Sequence, residues 1–258
     1  MNSILSESAF DLDGYLSMSE LILHVPHAST AIPFLDGFVA KRGVIQSQIN
    51  LLTDWYVDRI FSSSGVSSLV VPFSRVFCDV ERLNDEDEPL AKIGRGFYYT
   101  STDEGAALRK DSKEIKNRIY RDYYLPHHLA LTKLVDEKLI GVGRCTIIDC
   151  HSFTDFPLKT DLDQQFFRAD ICLGTNDFHT PDWLLKKFTD GFENAGYSVS
   201  INRPYSGTIV PLKFAGNEKQ VNSIMVEVNR RLYLDSENQA VDKKVLKLNQ
   251  VFNNIIKN

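Results

Sequence analysis

The stretch "CTIIDCHS", residues 145–152, runs from a β-branched core straight into a histidine with no turn residue between them. Its apolar residues are nearly continuous rather than alternating, as in a strand covered on both faces. That reading puts the strand in the middle of a sheet, and the flanking sequence agrees. "ELILHV" (20–25), "SSLVVPF" (67–73), "ADICLGT" (169–175), "SVSINR" (198–203) and "SIMVEV" (223–228) are further strand candidates. Between them lie helical patterns. "SQINLLTDWYVDRIF" (47–61) carries Ile49, Leu52, Tyr56 and Ile60 at helical spacing. Residues 103–138 read as a helical region interrupted at Pro126. Thr180 and Pro181 mark an N-cap and first turn of a helix that should stop near Gly196, and the segment from Ser236 onward is an amphipathic closing helix. Strands alternating with helices predict an α/β fold, its sheet mostly parallel and covered on both faces.

Composition sets the outer bounds. At 258 residues the chain can bury a substantial core, and without repeats or low-complexity linkers it reads as one domain, 1–258, with residues 1–18 as a loosely attached lead-in. A net charge of −5 lacks the basic surplus of a nucleic-acid binder. No apolar run approaches the length of a membrane helix, and the acidic N-terminus does not read as a signal peptide. Cys78, Cys145, Cys150 and Cys172 stand singly in strand-like segments, as small core residues of a reduced protein. These features predict a cytoplasmic protein.

In open α/β sheets ligands bind beyond the carboxyl ends of the strands, so the polar residues just after each apolar run matter most. Here they are His27 and Ser29, then Ser74, Arg75, Asp79 and Arg82, then His151 and Ser152, then Arg203 and Tyr205, and finally Glu227 with Arg230. Side chains an odd number apart on a strand point to opposite faces. His24 should therefore pack within the sheet, leaving His27 as the better ligand. A lone histidine is more often a bonded core residue than a ligand, but His151 at the end of a central strand changes that balance. Two histidines and a carboxylate make the open three-ligand site of a catalytic zinc. Asp54 and Asp149 compete for the third place, while Asp58 reads as a solvated pair with Arg59. Asp54 and Asp58 lie one turn apart on the 47–61 helix, and Asp149 also suits a partner behind a histidine ligand.

Glu227 lies among Met225, Val226 and Val228, where burial would raise its pKa and suit it to general base work. The competing reading is an ion pair with Arg230 or Arg231. Arg75, Arg82 and Arg203 suit bidentate recognition of carboxylates, although each alone is more often a salt bridge. His127 and His128 read as part of a helix start, His179 precedes a cap, and "DEDE" (85–88) reads as a solvated loop. "GRGFYY" (94–99) lacks the context of a phosphate loop. No G-x-S-x-G turn offers a serine nucleophile.

Taken together, "VPHAS" (25–29), "TDWYVDRIF" (53–61), "SRVFCDVER" (74–82), "IIDCHS" (147–152), "NRPYSGTIVP" (202–211) and "MVEVNRRLYLD" (225–235) resemble the N-formylglutamate amidohydrolase family. The resemblance covers residues 20–235 in order. It implies a zinc-peptidase-like fold, a three-layer α/β/α sandwich around a mixed, mostly parallel sheet. It also implies a hydrolase with one Zn2+ per chain, taking N-formyl-L-glutamate and water to formate and L-glutamate, a step of histidine breakdown. Carried over by position, it assigns the metal to His27, Asp54 and His151 and the general base to Glu227. Arg75, Arg82, Arg203 and Tyr205 fall to a small anionic substrate. One position departs: Asp79-Val80-Glu81-Arg82 stands where Asp-x-Asn-Arg is expected, so a carboxylate replaces a neutral amide. The rival readings are a deacylase or peptidase for another N-acyl amino acid or small peptide, and a non-catalytic metal- or anion-binding module.

Overall fold

The structure is a computed structural model and describes residues 16–84, 88–235, 237 and 239–257. Of the expected lead-in, residues 1–15 lie outside the described residues, as do Asp85, Glu86 and Asp87 of the acidic run. Leu16, within the stretch read as a lead-in, is already part of the core.

The 145–152 stretch forms the middle of the sheet. Strands β1 (Leu21–Val25), β2 (Ser67–Val70), β3 (Cys145–Phe153), β4 (Ile171–Gly174), β5 (Val199–Ile201) and β6 (Val221–Asn229) line up in the order β2-β1-β3-β6-β4-β5. All neighbours are parallel except β4 and β6, so the sheet is mixed and mostly parallel, as expected. Every residue of β3 is buried.

Flanking helices are α1 (Arg42–Leu52), α2 (Val57–Ile60), α3 (Lys113–Ile119), α4 (Leu125–Val142), α5 (Asp182–Asn194) and α6 (Asp242–Lys257). Three expectations need correction. The 47–61 pattern is two helices, broken at Thr53–Tyr56, where Tyr56 takes a left-handed conformation with φ 61°. The 103–138 region is helical only from Lys113 and is not interrupted at Pro126. A π-helical segment, Tyr120–Tyr124, joins α3 to α4, and Pro126 falls in the first turn of α4. The wider turn removes the need for the amide hydrogen that proline lacks. The cap of α5 is Pro181 rather than Thr180, whose hydroxyl instead donates to the Ser223 carbonyl at 2.6 Å.

The two faces of the sheet receive different cover. Leu21, Leu23, Val25, Ile148, Cys150, Ile224, Val226 and Val228 form one apolar layer with Val57 and Ile60 of α2, Phe188 of α5 and Phe252 of α6. On the other face Ile22, Cys145, Ile147 and Val221 pack under Leu131 and Val135 of α4. That second layer covers only the first half of the strands. Further along the same face come His24, Asp149, His151 and Glu227, because side chains two apart share a face. Parallel register makes them neighbours: His24 pairs with Asp149, and His151 with Glu227. Each buried large apolar side chain contributes about 1.5–3 kcal/mol. The full layer on the first face therefore supports a polar cluster on the second.

Candidate active site

Three segments converge beyond β1, β3 and β6. Pro26 ends β1 and His27 follows it. Asp54 sits in the break between α1 and α2, which is pinned to the β1 exit by a hydrogen bond from the Asp54 amide to the His27 carbonyl at 3.0 Å. The break thus turns a carboxylate inward that a continuous helix would hold one turn from Asp58. His151 completes the group from β3.

The two imidazoles face each other through Nδ1, 3.3 Å apart. Asp54 Oδ2 lies 3.1 Å from His151 Nδ1 and 3.6 Å from His27 Nδ1. Donors held about 2.0–2.1 Å from a tetrahedral zinc stand roughly 3.3–3.4 Å from one another, so this triangle fits such an ion. The remaining ring nitrogens donate outward, His27 Nε2 to Asp79 Oδ1 at 2.9 Å and His151 Nε2 to Asp149 Oδ1 at 3.1 Å. Those carboxylates favour the tautomers that would turn both Nδ1 lone pairs to a metal once the Nδ1 protons are displaced. Asp54 divides its work: Oδ1 accepts from Arg230 Nη2 at 2.9 Å while Oδ2 faces the histidines.

Glu81 is a second candidate donor. Its Oε2 lies 3.2 Å from His151 Nε2 and 3.6 Å from His27 Nε2, and its Oε1 lies 3.6 Å from His24 Nδ1. It forms potential ligand groups with His27 and His151, and with His24 and Asp149. The Nε2 atoms it approaches also meet Asp79 and Asp149, whereas Asp54 meets the Nδ1 atoms of both histidines. His24, fully buried, packs within the sheet as expected and donates from Nδ1 to Asp149 Oδ1 at 2.8 Å. Its Nε2 meets His127 Nε2 at 3.0 Å.

The electrostatics call for a cation. Burial opposes charge on Asp54, yet hydrogen bonds from His151 and His27 and the Arg230 guanidinium hold its carboxyl well below the usual range. Asp79 is likewise held low against burial, chiefly by Arg75 and His27. Burial and Arg75 depress His27, but the Asp79 and Asp54 carboxylates outweigh them. Burial depresses His151, but Glu81, Asp149 and Asp54 raise it well above its ordinary value. In the metal-free protein protons neutralise this anionic cage, and a divalent ion would replace them.

Glu227 sits beside His151 in the β3–β6 register. Burial raises its carboxyl to about 8, against the pull of His151, Arg75 and Arg230 and with a push from Asp54. Its Oε2 is buried with no hydrogen-bond partner. The ion pairs entertained from sequence do not form. Arg230 binds Asp54 and Ser152, while Arg231 binds Asp155 and Asp170.

These groups open into a pocket of about 800 Å3 lined by His27, Asp54, Arg75, Arg82, Tyr205 and Glu227, among others. Arg75 grips Asp79 Oδ2 through Nε (3.1 Å) and Nη2 (2.8 Å), and Arg82 Nε stands 3.9 Å from the same oxygen. Tyr205 donates to Asp161 at 3.0 Å. Arg203 is not brought to the pocket. It follows the left-handed Asn202 and pairs with Asp163 at 3.0 Å, half-exposed. Sequence reading missed Arg230 as the partner of Asp54 and Asp79 as the partner of His27. Their only signal was position just beyond strands.

The family model for N-formylglutamate amidohydrolase matches residues 19–234. Among solved structures, the N-formylglutamate amidohydrolase from Ralstonia eutropha JMP134 is similar with a TM-score of 0.77 and 23% identity, over 94% of this chain and 93% of that one. A gene product from Agrobacterium tumefaciens is similar with a TM-score of 0.66 and 16% identity, over 93% of each chain. At those identities the likeness bears on the fold. No curated protein matches the chain in sequence.

Proposed function

The chain belongs to the N-formylglutamate amidohydrolase family, and on that premise we propose that it is a single-domain, cytoplasmic zinc hydrolase of N-acyl amino acids, with N-formyl-L-glutamate as the leading substrate. In that role its products, formate and L-glutamate, suit a step of histidine breakdown. The observation that carries the reading is Glu227: a buried, unpartnered carboxylate next in register to a histidine whose Nδ1 faces another histidine and Asp54.

His27, His151 and Asp54 would hold one Zn2+. Bound there, the ion supplies Lewis acidity and lowers the pKa of water. Glu227 takes a proton from the attacking water, and its raised pKa lets it return that proton to the amine nitrogen as the C–N bond breaks. Asp79 and Asp149 hold the two rings in place. Arg75 is anchored on Asp79 through Nε and Nη2 and lines the pocket, which leaves Nη1 to serve the developing oxyanion. Arg82 and Tyr205 line the space available to the rest of the substrate.

A second reading keeps the chemistry and enlarges the substrate. The pocket, about 800 Å3, is at the upper end of the range for ligands far larger than N-formylglutamate, and Leu129, Leu162 and Leu212 add apolar surface to its lining. Those features favour a longer acyl group or a short peptide. Metal analysis followed by a formate and amine assay across N-acyl amino acids tests both. About one zinc per chain with formate released from N-formyl-L-glutamate is the expected result. Zinc-loaded protein that hydrolyses only longer N-acyl substrates would favour the second reading, and none at all would overturn both.

A further inference from the structure

Two buried arginines stand near the pocket wall, and their donors are treated in opposite ways. Arg109, 3% exposed, donates from Nε to the Tyr99 carbonyl at 3.0 Å and from both terminal nitrogens to the Phe77 carbonyl at 3.1 Å. Every nitrogen has a structural task. Arg95, 5% exposed, makes no side-chain hydrogen bond among the described residues, and its Nε and Nη1 are buried without a partner. Among the described residues, the carboxylate in ion-pair range is Asp103, 3.9 Å away. Its oxygens are already taken by the Lys159 amide at 3.0 Å and by the Thr160 amide and hydroxyl at 3.1 and 2.6 Å. A buried guanidinium left in this state is costly unless something else supplies the acceptors. Arg95 lines the pocket, so the acceptors can come from a ligand.

The backbone holds Arg95 there. Gly94 turns left-handed at φ 78°, and a Cβ on it would come within 2.4 Å of Ser101 Oγ. The Arg95 amide then donates to the Leu90 carbonyl at 2.8 Å. Its Cζ lies over the Tyr99 ring, 4.3 Å from the centroid, and the Tyr99 hydroxyl donates to Asp79 Oδ2 at 2.6 Å. Arg75 and Arg82 approach that same Asp79 oxygen directly. Arg95 is therefore linked to His27 through two intervening side chains, Tyr99 and Asp79, and so is set back from it.

Resting on the amide-hydrolase reading above, we propose that Arg95 is a specificity-determining residue, a fork that receives the distal carboxylate of an acidic amino-acid substrate. A side-chain carboxylate two methylenes beyond the α-carbon reaches farther from the scissile amide than the α-carboxylate does, which matches the set-back. A planar guanidinium whose donors the described residues leave unpaired is suited to bidentate capture of that group.

Calorimetry on the zinc-loaded full chain, with glutarate as a two-carboxylate probe and butyrate as its one-carboxylate control, tests this on wild type, Arg95→Met and Arg95→Lys. Arg95→Met should weaken glutarate about 10- to 100-fold with butyrate nearly unmoved, and Arg95→Lys should restore part of the loss. The ratio of kcat/KM for N-formyl-L-glutamate over N-formyl-L-glutamine should fall by a similar factor in Arg95→Met, through KM rather than kcat. Equal losses for both probes would mark a structural role and overturn the proposal. So would unchanged glutarate affinity, or no glutarate binding to the wild type. If the wild type hydrolyses neither amide, the hydrolase reading fails, and the glutarate comparison still decides the role of Arg95.

Discussion

On one face of β3, Ile148 and Cys150 belong to an apolar layer that runs the full length of the sheet; on the other, Cys145 and Ile147 give way to Asp149 and His151. The two faces share one backbone and differ only in which alternate residues they present. The polar half-face collects the side chains of His24, Asp149, His151 and Glu227, with Asp54, Asp79 and Glu81 arriving from loops. Burying so many ionisable groups is expensive even when they pair. The continuous layer behind offsets that cost and fixes the strand geometry. Stability and chemistry are thus separated across one strand, and substitutions on the two sides should read out differently.

The largest effect is expected on the polar side. Glu227→Gln should lower kcat by about 10^2- to 10^4-fold while metal content stays that of the wild type. Lost zinc in that variant would instead put Glu227 among the ligands. On the apolar side, Ile148→Ala should cost about 2–5 kcal/mol in denaturant unfolding and leave zinc stoichiometry intact. A variant of normal stability but with no metal would mean that the faces are not separable.

A pH titration sharpens the contrast. The Glu227 carboxyl moves from an ordinary 4.5 to about 8 on folding, so the folded state binds its proton more tightly. The stability this gives the metal-free protein is complete below about pH 4.5 and is lost as pH rises to about 8. Glu227→Gln has no such proton to lose. It should therefore gain on the wild type across that window, by on the order of a few kcal/mol, and the gap should level off above it. A gap that does not change with pH would show that Glu227 is not desolvated. The smallest effect belongs to Arg203, whose half-exposed pair with Asp163 lies off the pocket. Arg203→Ala should leave kcat/KM within about twofold of wild type, since exposed ion pairs contribute little.

The sheet was legible because its strands carry both period and punctuation. All of the expected strands form, with ends displaced by up to three residues. The strand-end rule also picked out His27, His151 and Glu227, which the fold brings together. What escaped was decided at a distance. Thr53 and Asp54 carry no helix breaker, and the break there follows from the Asp54 amide bonding to His27 and from the left-handed Tyr56. Pro126 looked like an interruption because a π-helical turn leaves no local signature. Arg203 looked equivalent to Arg75 because sequence cannot show that the turn at Asn202 directs it to Asp163. Arg230 looked like a partner for Glu227, but its register delivers it to Asp54.

The position of β6 has one more consequence. It is the last strand in the chain, yet it lies between β3 and β4, with Glu227 directly opposite His151. During synthesis, β1, β3 and the Asp54 loop emerge first, and His27, Asp54 and His151 can come together while Glu227 is still inside the ribosome. This strand must then insert between two earlier ones and bring Glu227 with it. A slip of one residue in that insertion would turn Glu227 into the apolar layer. On the proposed function, hydrolytic competence would be a late event in the life of the chain, and activity would report that assembly has finished in register.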